Sequence, residues 1–239
     1  VGKECSRRET MNDFRRLNII VEGQTEERFV KDTLSLYLGN FSISTNVRCV
    51  ETGRNKSTIF RGGLFKYQKA RGDIIKWMKE DQNQEVFFTT MFDLYALPKD
   101  FPSNNGAQVI LDPYHKVNFL EKEFASDITD RRFIPYLQLH EFESLLFVKP
   151  SYLGEIFFEE IQNVAKLEEI VRKYGDNPEM INDGFSTAPS KRIIQLFPSY
   201  DSQKPTAGAK IAEMIGISEL KGRCKHFGEW ISKLENLGK

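Results

Sequence analysis

The sequence predicts an α/β fold: a mostly parallel sheet flanked by helices, followed by a C-terminal all-helical region. Three observations predict it. Apolar runs rich in β-branched and aromatic residues alternate with amphipathic stretches up to about Pro150. Several of those runs end on a carboxylate. Beyond Pro150 the strand signals stop and helical periodicity takes over. Strands that alternate with helices favour a parallel sheet covered on both faces.

Each element has its own warrant. Leu17 to Val21 reads as a short buried strand, with Gly23 as a tight exit. Thr25 is placed to cap the next helix, because its hydroxyl can accept from an orphan backbone N–H. Phe29, Thr33, Leu34, Tyr37, Leu38 and Phe41 then recur at helical spacing. "VRCVET", Val47 to Thr52, is a second strand, and "GRNKSTIFRGG" a polar loop punctuated by glycine. A helix follows, carrying Leu64, Tyr67, Arg71, Ile74, Ile75 and Met78 on one face. "EVFFTTMFD" is the strongest strand and ends on Asp93. Two prolines and Asn-Asn-Gly make "LYALPKDFPSNNG" a loop. A helix from about Tyr114 to Asp130 turns Val117, Leu120, Phe124 and Ile128 inward. "FIPYLQLHEFESLLF" reads as a further strand passing into a short helix near Glu141. The segments "SYLGEIFFEEIQNVAKLEEIVRKYG", "PSKRIIQLF", "AGAKIAEMIGI" and "FGEWISKLENL" are helical. The expected organisation is a flexible segment over 1–15, an α/β domain over 16–150, and a helical region over 151–239 packed on the sheet.

Composition narrows the class. Lysine plus arginine equals aspartate plus glutamate, 34 each, which excludes a simple basic coat protein for nucleic acid. Nineteen phenylalanines in 239 residues can fill a sizeable core. Three cysteines far apart, Cys5, Cys49 and Cys224, suit a reducing compartment rather than a disulfide scaffold. No stretch approaches the roughly 18 apolar residues of a membrane span. The chain is therefore expected to be cytoplasmic and to have no membrane partner.

The carboxylates carry the chemistry. In an open parallel sheet, ligands gather beyond the carboxyl ends of the strands. Glu22 follows the first strand, Asp93 the third, and His140, Glu141 and Glu143 the fourth. Carboxylates that converge repel, so they need a cation, a shared proton or a basic partner. Mg²⁺ or Mn²⁺ is the natural guest, held by a few carboxylates, water and substrate phosphate. Glu26 and Glu27 also fit the first turn of a helix, where acids offset the positive dipole end. Of Glu141 and Glu143, one is expected to be a ligand. His140 is read as an orienting group or a buried structural histidine. Cys224 and His226 lack the second pair a zinc site needs.

Basic residues suggest where a nucleic acid would lie. From Arg54 to Lys76 there are seven lysines or arginines and one acid, Asp73, with Tyr67 and two phenylalanines interleaved. Arg54, Lys56, Arg61, Lys66 and Lys69 are candidate phosphate contacts. Arg192 is another, in "APSKRI". There Lys191 follows a proline and begins a helix, where a cation opposes the dipole unless an anion lies near. Lys191 is nominated to face developing charge.

These motifs also resemble a known family. "VEG" after a strand, then a helix, then a strand ending in an aspartate motif, resembles the Toprim fold of topoisomerases, primases and overcoming-lysogenization-defect nucleases. "VEGQTEERF" is closest to the nuclease branch, where a second acid four positions on, here Glu26, helps bind metal. "VEGQTEERFV", "MFDLYALPKDFP", "LHEFESLLF", "APSKRI" and "CKHFGEWI" together resemble the bacterial domain-of-unknown-function family 4276 over Leu17 to Leu237. Such relatives often accompany an ABC-type ATPase in phage-defence gene clusters, so the resemblance implies that partner and that setting.

One position departs from the Toprim pattern. Tyr95 stands where the second aspartate of Asp-x-Asp would be. Asp100, or Glu141 or Glu143, is then expected to complete the site. The leading expectation is a divalent-metal-dependent nuclease with Glu22, Asp93 and Lys191 as its catalytic residues. Glu22, Glu26, Asp93, Glu141 and Glu143 are its metal candidates, DNA or RNA is its substrate, and a homodimer is open to it. The rival expectation is a Toprim-like module that docks on the ATPase and cuts nothing.

Overall fold

The computed structural model describes residues 14–54, 59–61, 64, 66–95, 97–181, 184 and 186–239, with backbone alone for 51–54 and 59–61. Seven strands occur among them: β1 (Arg15–Val21), β2 (Ile43–Cys49), β3 (Glu51–Arg54), β4 (Ile59–Arg61), β5 (Val86–Asp93), β6 (Phe133–Ile134) and β7 (Leu137–Gln138). The main sheet runs β2-β1-β5-β6, with β7 also on β5, and every pairing in it is parallel. The expected class is therefore observed. All its carboxyl ends lie on one side, as parallel pairing requires.

Helices connect and cover these strands. α1 (Gln24–Phe29) runs through a π turn at Val30–Leu34 into α2 (Ser35–Gly39). α3 (Tyr67–Glu80) precedes β5, and α4 (Asn104–Ala107) and α5 (Pro113–Ile128) follow it. After a 3₁₀ segment at Phe142–Val148 come α6 (Ser151–Ile156), α7 (Val164–Lys173), α8 (Pro189–Leu196), α9 (Lys204–Ile215), α10 (Ile217–Arg223) and α11 (Lys225–Glu235). No helix among the described residues is long and apolar enough to cross a membrane.

Strand periodicity divides the core in two. Alternate residues of β1 face opposite ways. Leu17, Ile19 and Val21 pack with Phe29, Leu34 and Leu38, and with Phe142, Ile211, Phe227 and Trp230 from beyond β7. Ile20 joins the other side, with Tyr67, Ile74, Trp77, Phe88, Phe92 and Phe124. The first core crosses residue 150 without a break, so the helical region completes it. Trp230 stacks on Tyr136 with ring centroids 4.1 Å apart and donates from Nε1 to Thr89 Oγ1 at 3.0 Å. Both tryptophans are buried packing residues, and burying a side chain of this size contributes about 3 kcal/mol.

Four local readings need correction. Gly23, not Thr25, occupies the N-cap of α1, while Glu26 Oε2 accepts the Gly23 N–H at 2.9 Å. "VRCVET" is two elements, because the chain leaves the sheet at Val50 and begins β3. The supposed polar loop contains an antiparallel pair, β3 with β4. "FIPYLQLHEFESLLF" forms two two-residue strands and a 3₁₀ segment rather than one long strand. Tyr136 N–H there bonds Thr90 Oγ1 at 3.1 Å, a side-chain bond between the two ladder pairings. Residues 1–13, from the segment expected to be flexible, lie outside the described residues.

A buried acid also fixes α11. Glu179 is fully buried, and its oxygens accept the N–H groups of His226 at 3.0 Å and Phe227 at 2.9 Å and the Tyr114 hydroxyl at 3.0 Å. A carboxylate at a helix start satisfies orphan donors and favours the dipole. Glu179→Ala would strand those three donors and is expected to destabilise the fold by about 3 kcal/mol. Urea denaturation reads this, and a loss under about 1 kcal/mol would show that the cap is dispensable.

Candidate functional site

Glu22 extends one residue beyond β1, and two backbone N–H groups hold its carboxylate. Oε1 accepts Leu64 N–H at 3.1 Å and Oε2 accepts Asp93 N–H at 3.2 Å. The ends of β1 and β5 are thereby tied together, as adjacent parallel strands allow. Asp93 Oδ1 accepts Phe142 N–H at 3.0 Å, which brings in the segment after β7. Glu141 Oε2 accepts Ser190 N–H at 2.9 Å, near the start of α8. Glu143 Oε1 lies 3.0 Å from Lys204 Nζ and accepts the Tyr200 hydroxyl at 3.1 Å. Each carboxylate of the set therefore has at least one oxygen fixed by a donor of the fold.

The carboxylates also act on one another. Burial raises Asp93 well above the usual carboxylate range, and Glu26, Glu22, Glu143 and Glu141 push it further. Burial raises Glu26 to about 7, assisted by Glu143 and Glu22. Glu22 is raised by burial and by Glu141, against the lowering effect of its two N–H bonds. Glu141 is raised by burial and by Glu143. Desolvation pulls Lys204 down, but Glu143, Glu141 and Asp93 outweigh it and hold the ammonium charged. Carboxylates crowded in this way are relieved by a proton or a cation, and Lys204 supplies one cation.

The sequence-predicted residues divide accordingly. Glu22, Glu26, Asp93, Glu141 and Glu143 come together, so both members of the Glu141/Glu143 pair belong to the cluster. Lys191 is exposed on α8, and the anion beside that helix start is Glu141. Asp100 caps α3 instead, accepting Tyr67 N–H at 3.0 Å and Gln68 N–H at 3.3 Å. Arg192 Nε donates to Thr187 O at 2.7 Å and a terminal nitrogen to the Tyr174 hydroxyl at 3.0 Å. Lys66 and Lys69 are exposed at the start of α3. The side chains of Arg54, Lys56 and Arg61 lie outside the described residues. His140 is buried with φ +64, and its carbonyl accepts Tyr95 N–H at 2.8 Å.

Sequence reading missed Lys204 and Tyr200. A usable signal was present, since "SQKPTAG" sets a lysine before proline at a helix start. That is the unfavourable dipole placement that singled out Lys191. Tyr200 carried none, as its hydroxyl meets Glu143, 57 residues earlier, only in the folded chain. α9 passes close to Tyr200 and α1 at Gly208, where a Cβ would stand 2.8 Å from the Tyr200 hydroxyl and 3.1 Å from Thr25 Cγ2.

The donor set suits a hard cation, being wholly oxygen. Among the described residues no three acidic, histidine or cysteine side chains already stand in an ion-holding arrangement. A hydrated Mg²⁺ asks for less, one or two direct carboxylates with water filling the other positions. The residues fit an ion of that kind.

Fold and site define a parallel α/β protein with an acidic cluster at its strand ends. The chain belongs to the family described as "Domain of unknown function (DUF4276)", which matches residues 21–235. No curated protein matches it. Among solved structures it is similar to the C-terminal region of the Xanthomonas campestris pv. campestris OLD protein. That match has 12% identity and a TM-score of 0.36, covering 92% of this chain and 98% of the other. So loose a match defines no chemistry for this chain.

Stability should depend on pH through the cluster. Glu26 titrates near 7 in the fold against 4.5 ordinarily, so between those values the folded state binds more protons than the unfolded. Stability is expected to fall as pH rises through that window, by on the order of 3 kcal/mol from this group. Urea midpoints at pH 5 and pH 8 in chelator should show the fall, and Glu26→Gln should flatten it. A midpoint that rises with pH in the wild type and is unchanged in the variant would contradict the assignment.

Proposed function

We propose that this chain is a divalent-metal-dependent phosphodiesterase that cleaves DNA or RNA. One observation carries the reading: five carboxylates and Lys204 meet beyond the carboxyl ends of parallel strands. Glu22 and Asp93 would hold a first Mg²⁺ or Mn²⁺ with Glu141 or Glu143, and Glu26 would support a second. Such ions, when bound, polarise phosphoryl oxygens and make water a better nucleophile. The N–H groups of Leu64, Asp93, Phe142 and Ser190 keep the carboxylates aimed without a reorganisation cost. Lys204 would offset charge that develops on the phosphoryl group, the role first considered for Lys191. The basic segment reaches the cluster directly, because Leu64 within it donates to Glu22. Lys66 and Lys69, with Arg54, Lys56 and Arg61, would track the nucleic-acid backbone there.

The partner and setting, an ABC-type ATPase in phage defence, rest on the motif resemblance. A second reading is a module that docks on such an ATPase and cuts nothing. Tyr95 in place of an aspartate favours it, as does the lack of three ready-placed ligands among the described residues. Calorimetric titration with Mn²⁺ separates the two, since the module needs no ion.

Cleavage of single- and double-stranded DNA and of RNA with Mn²⁺ tests the proposal. Glu22→Ala and Asp93→Asn are each expected to lower the rate at least about a hundredfold, with circular dichroism unchanged. Lys204→Met should lower turnover more than substrate affinity. Full activity in Glu22→Ala would remove the proposal.

A further inference from the structure

A cavity of about 250 Å³ lies beside the carboxyl end of β5. It is lined by Leu94, Tyr95 and Leu97 from the chain leaving β5, and by Gln108, Lys116 and Leu120 from the end of α4 and from α5. Tyr95 is two residues from Asp93, so their Cα atoms are within about 7 Å of each other. Its N–H bonds the carbonyl of His140, the residue before Glu141, at 2.8 Å. The cavity therefore adjoins two of the segments that carry the carboxylate cluster.

Three groups in the lining are unused by the fold. Tyr95 is half-buried, and its side chain makes no hydrogen bond or ring contact among the described residues. A tyrosine hydroxyl removed from water usually finds a partner. Lys116 is also half-buried, and its ammonium has no ion-pair partner among the described residues. Gln108 is exposed, and its Nε2 donates to Asn104 Oδ1 at 3.0 Å, which orients the amide and leaves Oε1 without a donor. All three retain surface that a ligand can touch. Leu94 and Leu120 are buried and make the rest of the lining apolar.

We propose that this cavity takes one unpaired nucleobase of the substrate strand, with the base against Tyr95, an exocyclic amine donating to Gln108 Oε1, and Lys116 on the phosphate attached to that nucleotide. The inference rests on the nuclease reading of the carboxylate cluster. It narrows the substrate to a single strand, or to a duplex with the base turned out of the stack. A base is apolar on its faces and polar at its edge, which matches leucines and a tyrosine set against one amide and one ammonium. The volume is below the roughly 300–1,000 Å³ of pockets for drug-sized ligands, so it suits a single base. Tyr95 thereby has a use at the position where the Toprim pattern has its second aspartate.

Saturation-transfer NMR on the full chain in chelator reads the site directly. The probes are adenosine, guanosine, cytidine and uridine monophosphates, with ribose 5-phosphate as the control that lacks a base. At least one nucleotide is expected to bind at least about fivefold more tightly than ribose 5-phosphate. Tyr95→Ala should weaken that nucleotide at least about fivefold and Tyr95→Phe should restore it, with circular dichroism unchanged. Lys116→Met should weaken it as well, and it tests the site even if Tyr95→Ala does not fold. Nucleotide binding no tighter than that of ribose 5-phosphate overturns the proposal, as does undiminished binding in Lys116→Met or in folded Tyr95→Ala. Cleavage in Mn²⁺ separates this site from the nuclease reading. A single-stranded oligonucleotide with one abasic residue beside the cut should be cleaved at least about fivefold more slowly than the intact strand. Equal rates remove the base site and leave the nuclease, whereas Tyr95-dependent base binding without cleavage of any strand supports the site and removes the nuclease.

Discussion

The Glu22 carboxylate is the interaction on which the geometry of the acidic cluster depends. It accepts backbone N–H groups from Asp93 and Leu64, so one side chain joins β1, β5 and the segment leading into α3. Backbone donors cannot rotate away, and they favour the charged form that burial disfavours. The group thus stays poised between two opposing effects. Its neighbours repeat the pattern: Asp93 with Phe142 N–H, Glu141 with Ser190 N–H, Glu26 with Gly23 N–H. Acidic groups that would otherwise fly apart are pinned by the main chain.

The helical region is part of this arrangement. Ser190, Tyr200 and Lys204 all come from beyond residue 150, and each contacts a carboxylate carried by the sheet half. The apolar contacts agree, since Phe227, Trp230 and Ile231 pack in the same core as Leu17 and Ile19. Ile193 of α8 and Ile211 of α9 lie in that core as well, so the helices that bring Ser190 and Lys204 to the site also close the core. The second face of the sheet, with Tyr67, Phe88 and Phe124, is complete without them.

Much of this was legible in the sequence, and the failures are physical. β1 and β5 could be read because both bury largely apolar runs that lead straight into an acid, Glu22 just after β1 and Asp93 at the end of β5. The convergence of Glu22 and Asp93 followed from parallel pairing alone. β6 and β7 could not be read as two short pieces, because the Thr90 hydroxyl interrupts the ladder and its role is visible only in three dimensions. The β3–β4 pair hid in a segment punctuated by glycine and basic residues, where turn chemistry dominates strand propensity. Lys204 was missed although its placement before Pro205 broke a dipole rule, because Lys191 broke the same rule closer to the quoted motifs. Tertiary contact chose between two equal local signals.

The closeness of α9 to α1 at Gly208 has a mechanical meaning. Lys204 begins α9, Glu26 lies in α1, and at the crossing not even a methyl group separates the backbone from Thr25 and Tyr200. A helix seated that tightly travels as a rod rather than bending. Whatever displaced α9 at that crossing would carry the Lys204 ammonium with it and leave more negative charge uncompensated at the strand ends.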